Sequence, residues 1–139
     1  MSMLKIFDVA SSAISAQSQR LNAVASNLSN VDTVAGPDGS AYKARQVVFQ
    51  SVLMGSGAQG DATVGVRVSN IVQSDVPGRR VLDPKHPAAD ADGYVTYSNV
   101  SPVDEMVNMM SASRSYQNSV EVMNTARSLL QKTLQMGQG

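Results

Sequence analysis

SPVDEMVNMMSASRSYQNSVEVMNTARSLLQKTLQM, residues 101–136, contains neither glycine nor proline from Val103 to Met136. Those are the two residues that punctuate helices most strongly. Within it Met109, Tyr116, Met123 and Leu130 recur every seven positions, and Met106, Ser113, Val120, Arg127 and Leu134 form the interleaved series. Two offset seven-residue series are the a/d pattern of a helix with one seam. The start is signalled as well: Ser101 can cap, Pro102 suits the first turn, and Asp104 with Glu105 set negative charge at the positive end of the helix dipole.

The opposite end of the chain repeats the pattern. Phe7, Ile14, Leu21 and Leu28 are seven apart, with Met3, Ala10, Gln17, Val24 and Val31 between them. All five prolines lie between Pro37 and Pro102, and eight of the ten glycines between Gly36 and Gly93. The chain therefore divides into an N-terminal helical arm (1–35), a β-strand and loop region (36–100) and a C-terminal helical arm (101–139), the arms together forming one helical unit. The fold class expected is α+β: two long heptad helices pairing as a coiled coil, with a small β region inserted. At 1.5 Å per residue the helices span about 43 and 51 Å. Ala10, Gln17, Ser113 and Arg127 weaken the seam, so an isolated pair is marginal and other chains are expected to complete the packing.

In the middle, Gln46–Leu53 is a β-branched and aromatic run, Val64, Val66 and Val68 alternate with small or polar residues, and Tyr94, Val95 and Tyr97 follow Gly93. These read as a few short strands. Gly55–Gly60 reads as a flexible loop or hairpin tip, and Asp83–Gly93 as an irregular surface loop.

Composition excludes several functions. The chain has 139 residues, 11 Lys+Arg against 11 Asp+Glu, and no cysteine. Zero net charge gives no electrostatic case for nucleic acid. Without cysteine, and with His86 as the single histidine, the Cys-zinc and multi-histidine centres are excluded. No apolar run is long enough to span a membrane, and Lys5 and Asp8 interrupt the place where a signal peptide would need its apolar core. Export, if it occurs, is expected to cleave no leader. Six aromatic residues and no tryptophan limit the core. The Ser, Asn and Gln residues outnumber the charged ones, which suits surfaces that become covered.

No residue set assembles a catalytic site. Asp90-Ala91-Asp92-Gly93 has alternating carboxylates, but Asn99 stands where a calcium loop needs its Glu, so turn chemistry is expected. His86 sits between Pro84 and Pro87 without an apolar wall or nucleophile. Gly55–Gly60 lacks the Lys-[Ser/Thr] ending of a phosphate loop, and Arg79-Arg80 is internal and so no twin-arginine signal. Met106, Met109 and Met110 suit an adaptable interface better than a soft metal site. No cofactor, catalytic residue, metal ligand or small-molecule substrate is expected.

Ala25–Asn30 (ASNLSN) resembles the Ala-x-Asn-aliphatic-Ala-Asn element ending the first helix of the bacterial flagellar axial proteins. Thr33, Gly36 and Tyr42 follow, with Pro37–Ala41 inserted as in proximal members of the rod family. Tyr42–Arg45, Val47–Phe49, Asp83–Pro87, Asn99–Val100, Pro102–Met109 and Ser113–Tyr116 are similar too. Ser29 and Ser101 depart from the family's more usual Ala and Asn. The resemblance implies a non-enzymatic subunit of the basal-body rod, exported unfolded through the flagellar type III apparatus. Its implied partners are other rod proteins, the export-gate adaptor at the rod base and further copies of itself. The assembly interface expected comprises Phe7, Ile14, Leu21, Val24, Asn27, Leu28, Asn30, Met106, Met109, Tyr116, Val120, Met123, Leu130 and Leu134. A soluble cytoplasmic coiled-coil adaptor or chaperone is the alternative, distinguished by fractionation.

Overall fold

The computed structural model describes residues 2–55 and 62–138. In chain order they form α1 (Met3–Ser29), β1 (Arg45–Leu53), β2 (Val64–Gln73), β3 (Arg80–Leu82), β4 (Tyr94–Thr96) and α2 (Pro102–Met136). The strands make two antiparallel pairs, β1 with β2 and β3 with β4. Apart from Gly55, the glycine loop expected at 55–60 lies outside the described residues. No described helix is long and apolar enough to cross a membrane.

Helix α1 begins where the Ser2 hydroxyl accepts the Lys5 N–H. It ends at Ser29, earlier than the breaker-free arm to residue 35. The Asn30 side chain donates to Ser26 O at 2.8 Å, and the β-branched Val31, Thr33 and Val34 then favour extended chain. That segment is tied to the strand end: Ala35 N donates to Thr96 O, Ser98 N to Thr33 O, and the Ser98 hydroxyl to Val31 O at 2.7 Å. Helix α2 starts at the expected cap, Ser101 Oγ accepting the Asp104 N–H.

Between them, β1 extends one residue before Gln46, β2 runs on to Gln73, and β3 is a strand with no counterpart in the sequence reading. The β1–β2 register slips between Val48 and Phe49, leaving Ser69 as the extra residue of a bulge. Its hydroxyl donates to Val48 O at 3.1 Å. Strand β2 lies close against α1, where Val66 N donates to Ser12 Oγ at 3.2 Å. Gly65 permits this approach, since a Cβ there would stand 2.9 Å from Ser12 Oγ and 2.2 Å from Met54 Sδ.

The helices run antiparallel: the Arg20 guanidinium donates to Asn108 Oδ1, while Ile6–Ala13 face Asn118–Val122. The side chains that the two helices bury are mostly small. Ala10, Ala16, Ala23 and Val24 are buried on α1, and Ala112 and Ala126 on α2. On α2 the buried series is Glu105, Ala112 and Ala126, one residue before the expected Met106–Ser113–Val120–Arg127–Leu134. Ala112 and Ala126 alternate at three- and four-residue spacing with half-buried Met109, Tyr116, Met123 and Leu130 along one face of α2.

Candidate assembly surface

The end of α1 is held by one buried amide. Asn27 is fully buried. Its Oδ1 accepts from Arg45 N at 2.9 Å and from the Tyr42 hydroxyl at 3.0 Å, while its Nδ2 donates to Arg45 O at 2.8 Å. Ser26 Oγ lies 3.1 Å from the same phenol oxygen. The side chain thus pairs with a backbone unit as a strand neighbour would, satisfying groups that are costly to leave unpaired. Asn99 performs the matching task from the other side. Its Oδ1 accepts from Ala44 N at 2.6 Å and its Nδ2 donates to Val76 O at 2.7 Å. The tract Ala44–Arg45 is therefore clamped between the last turn of α1 and the residues leading into α2. The largest fully buried side chains, Val24, Val95 and Asn27, reflect how small the core is.

With that end fixed, the helix pair presents the heptad residues. Phe7, Ile14, Leu21, Leu28, Met109, Tyr116, Val120, Met123 and Leu130 are all half-buried, neither withdrawn into the core nor free in solvent. Met106 and Leu134 are exposed, at 57% and 60%. Val24 is buried, beside Asn108 of α2 and the first residues of β1. Asn27 is spent within the subunit, and Asn30, half-buried, caps α1 through its bond to Ser26.

The Asp83–Gly93 loop is internally braced. Asp90 Oδ1 accepts from Asp92 N and Tyr94 N, and its Oδ2 accepts from Arg80 at 2.9 Å. The Tyr94 N–H above all, helped by Arg80 and the Asp92 N–H, holds the Asp90 carboxyl below its ordinary pKa. The Asp38 carboxyl is lowered likewise, chiefly by the Ser40 hydroxyl and then the Ser40 N–H. His86 Nδ1 accepts the Ala88 N–H at 3.0 Å. Arg80 stacks on Tyr94 and Arg79 on Tyr97, the guanidinium carbons 4.6 and 5.1 Å from the ring centroids.

Sequence alone marks Asn99 through the family resemblance and as a missing calcium ligand, but gives neither its clamp on Ala44 and Val76 nor the Arg20–Asn108 bond. An Asn two residues before a helix cap was the available signal for the first. The second joins residues 88 apart and leaves no local trace.

Two helices with a small antiparallel strand region between them are the α+β layout expected from the heptads and the breaker-rich middle. The family described as "Flagella basal body rod protein" matches residues 7–37, and the "Flagellar basal body rod FlgEFG protein C-terminal" family matches residues 91–136. The chain is 56% identical to flagellar basal-body rod protein FlgC of Escherichia coli O6:H1 over 138 residues, 99% of this chain and all of that protein. It is 54% identical to FlgC of Salmonella typhimurium over the same spans. Against FlgC of Bacillus subtilis it is 37% identical over 94% of this chain and 95% of the relative. The chain belongs to the flagellar basal-body rod protein family.

Proposed function

We propose that this chain is a non-enzymatic structural subunit of the proximal flagellar rod. Its heptad flank packs against neighbouring subunits in a helical array, and the two arms pair in coiled-coil fashion. The observation that carries this reading is the half-buried state of Phe7, Ile14, Leu21, Met109, Tyr116, Met123 and Leu130. Residues of that size and spacing normally fill a seam, and in the single subunit each keeps part of its surface open to a neighbour. Contacts of this kind repeat without closing on themselves.

The subunit works as part of a drive shaft in the periplasm, reached through the flagellar type III apparatus. Its neighbours are other rod proteins, the export-gate adaptor and its own copies. The test is swimming in soft agar, with the level of exported subunit measured in parallel. Leu130→Asp forces a charge into the apolar flank and abolishes motility while the protein is still made and exported. His86→Ala and Asp92→Ala leave motility measurable. Normal swimming by Leu130→Asp together with complete loss in His86→Ala overturns the assignment.

A further inference from the structure

A recess of about 310 Å³ opens where α1, the start of β1 and the first two turns of α2 meet. Val24 and Phe49 stand in its wall, and its polar lining is Arg20 of α1, Arg45 and Gln46 of β1 and Asn108 of α2. That is about twice the roughly 150 Å³ that accommodates a benzene ring, so a side chain can enter. No acidic residue lines it. The recess therefore gathers two positive charges and no negative one, on a chain whose formal charges balance as a whole.

Both arginines are held in place without being neutralised. The Arg20 guanidinium donates to Asn108 Oδ1, an uncharged acceptor. Arg45 is fixed at its backbone by Asn27, and its guanidinium carbon lies 5.8 Å from the centroid of the Tyr42 ring. The ion pairs among the described residues join Arg79 to Asp32 and Arg80 to Asp90, and neither includes Arg20 or Arg45. Glu105, buried one turn before Asn108, does not line the recess and forms no ion pair with either arginine. The side-chain N–H groups of Asn108 and Gln46 donate to nothing among the described residues. A hollow rich in N–H donors and poor in acceptors matches a group that only accepts, and a carboxylate is the side chain of that kind. The apolar wall of Val24 and Phe49 strengthens such bonds relative to open water.

We propose that this recess is a carboxylate socket, taking an aspartate or glutamate side chain from a neighbouring protein chain. This deepens, and rests on, the reading of the chain as an assembling subunit. Charge selects the occupant. Two unpaired guanidinium groups accept a carboxylate readily, whereas an apolar side chain would strip water from both and offer them nothing in return. Charge pairing of this kind sets which partner is accepted, and in what orientation, more than it adds affinity.

The full-length chain, isotope-labelled, is titrated with a blocked diglutamate peptide, and separately with the matching diglutamine peptide and with inorganic phosphate, while the arginine side-chain N–H signals are followed by NMR. Saturable shifts at Arg20 and Arg45 are expected with diglutamate and not with diglutamine, and none at Arg114, an exposed arginine that lines no part of the recess. Arg45 is exposed, and Arg45→Gln keeps the backbone bonds to Asn27. This variant is expected to bind the peptide about ten-fold more weakly with an unchanged unfolding midpoint, and Arg45→Lys recovers part of the loss. No saturable shift, equal shifts at Arg114, or tighter binding of phosphate than of diglutamate overturns the proposal. In cells, Arg45→Gln is expected to be exported at the normal level and to enter basal bodies several-fold less well. Entry at the unsubstituted level overturns the proposal too. Absence of the unsubstituted protein from basal bodies defeats the rod reading instead, and the peptide titration still decides whether the recess takes a carboxylate.

Discussion

Asn27 grips Arg45 by both of its backbone groups, accepting the N–H at 2.9 Å and donating to the carbonyl at 2.8 Å. One side chain thereby substitutes for a strand in joining the end of α1 to the start of β1. Asn27→Ala leaves the Arg45 amide, its carbonyl and the Tyr42 hydroxyl short of a partner, and is expected to cost about 3 kcal/mol. Asn27→Asp keeps the shape but sets an oxygen against the Arg45 carbonyl and is expected to cost at least as much. Urea unfolding of both variants measures this. A midpoint unchanged in either would show that the pairing contributes little.

The alanine contact between the helices sets a second expectation. Ala112 is fully buried, so Ala112→Leu pushes α1 and α2 apart at a loss of about 1–3 kcal/mol. Ile14→Ala, on the half-buried flank, lowers the stability of the single subunit by only about 1 kcal/mol, below the 2–5 kcal/mol typical of a buried site. Thermal unfolding at low concentration distinguishes the two. The reverse ranking would place the heptad residues in the core.

How far this was legible in the sequence differs by element. The heptads, the Ser101 cap and the breaker-rich middle announced two helices around a β insertion, because periodicity and punctuation are local. The buried series on α2 lay one residue from the expected one. A search for large apolar residues finds Met109 and Tyr116 and passes over Ala112 and Ala126, although small residues permit the closest approach. Strand β3, three residues long, depends on its partner β4 rather than on its own composition. Asn27 was singled out through the family element, but its bond to Arg45 was invisible until the turn through Tyr42 was placed.

Gly78 tests the close packing of the β region. A Cβ there would lie 2.3 Å from the Tyr97 carbonyl oxygen, a backbone atom that cannot swing away. Gly78→Ala is therefore expected to displace the segment before β3 and to raise amide exchange at Arg79 and Tyr97, whose backbones are bonded through Tyr97 N and Arg79 O at 2.7 Å. Wild-type protection at both amides would contradict the crowding.

The Asp90 brace makes a pH prediction. Its carboxyl is held below 3.8 in the folded chain, so the unfolded state binds the proton more readily. The stabilising contribution is then present above the ordinary carboxylate value and is lost as pH falls through the lower, folded value. Titration of the Asp90 carboxyl carbon by NMR should give a midpoint under 3.8, moving upward in Arg80→Gln. A midpoint at or above the ordinary value would mean that the Tyr94 and Asp92 amides are not bonded to it in solution.

The two asparagine clamps also set an order of events in time. The grip on Ala44–Arg45 needs Asn27 from one side and Asn99 from the other, 18 and 55 residues away along the chain. A polypeptide delivered N-terminus first holds only half of the clamp until about a hundred residues have emerged. Pairing of the helices waits longer still, since Asn108 must arrive before it can meet Arg20. Such distant closures are entropically slow, so in a chain that emerges N-terminus first the native arrangement forms late.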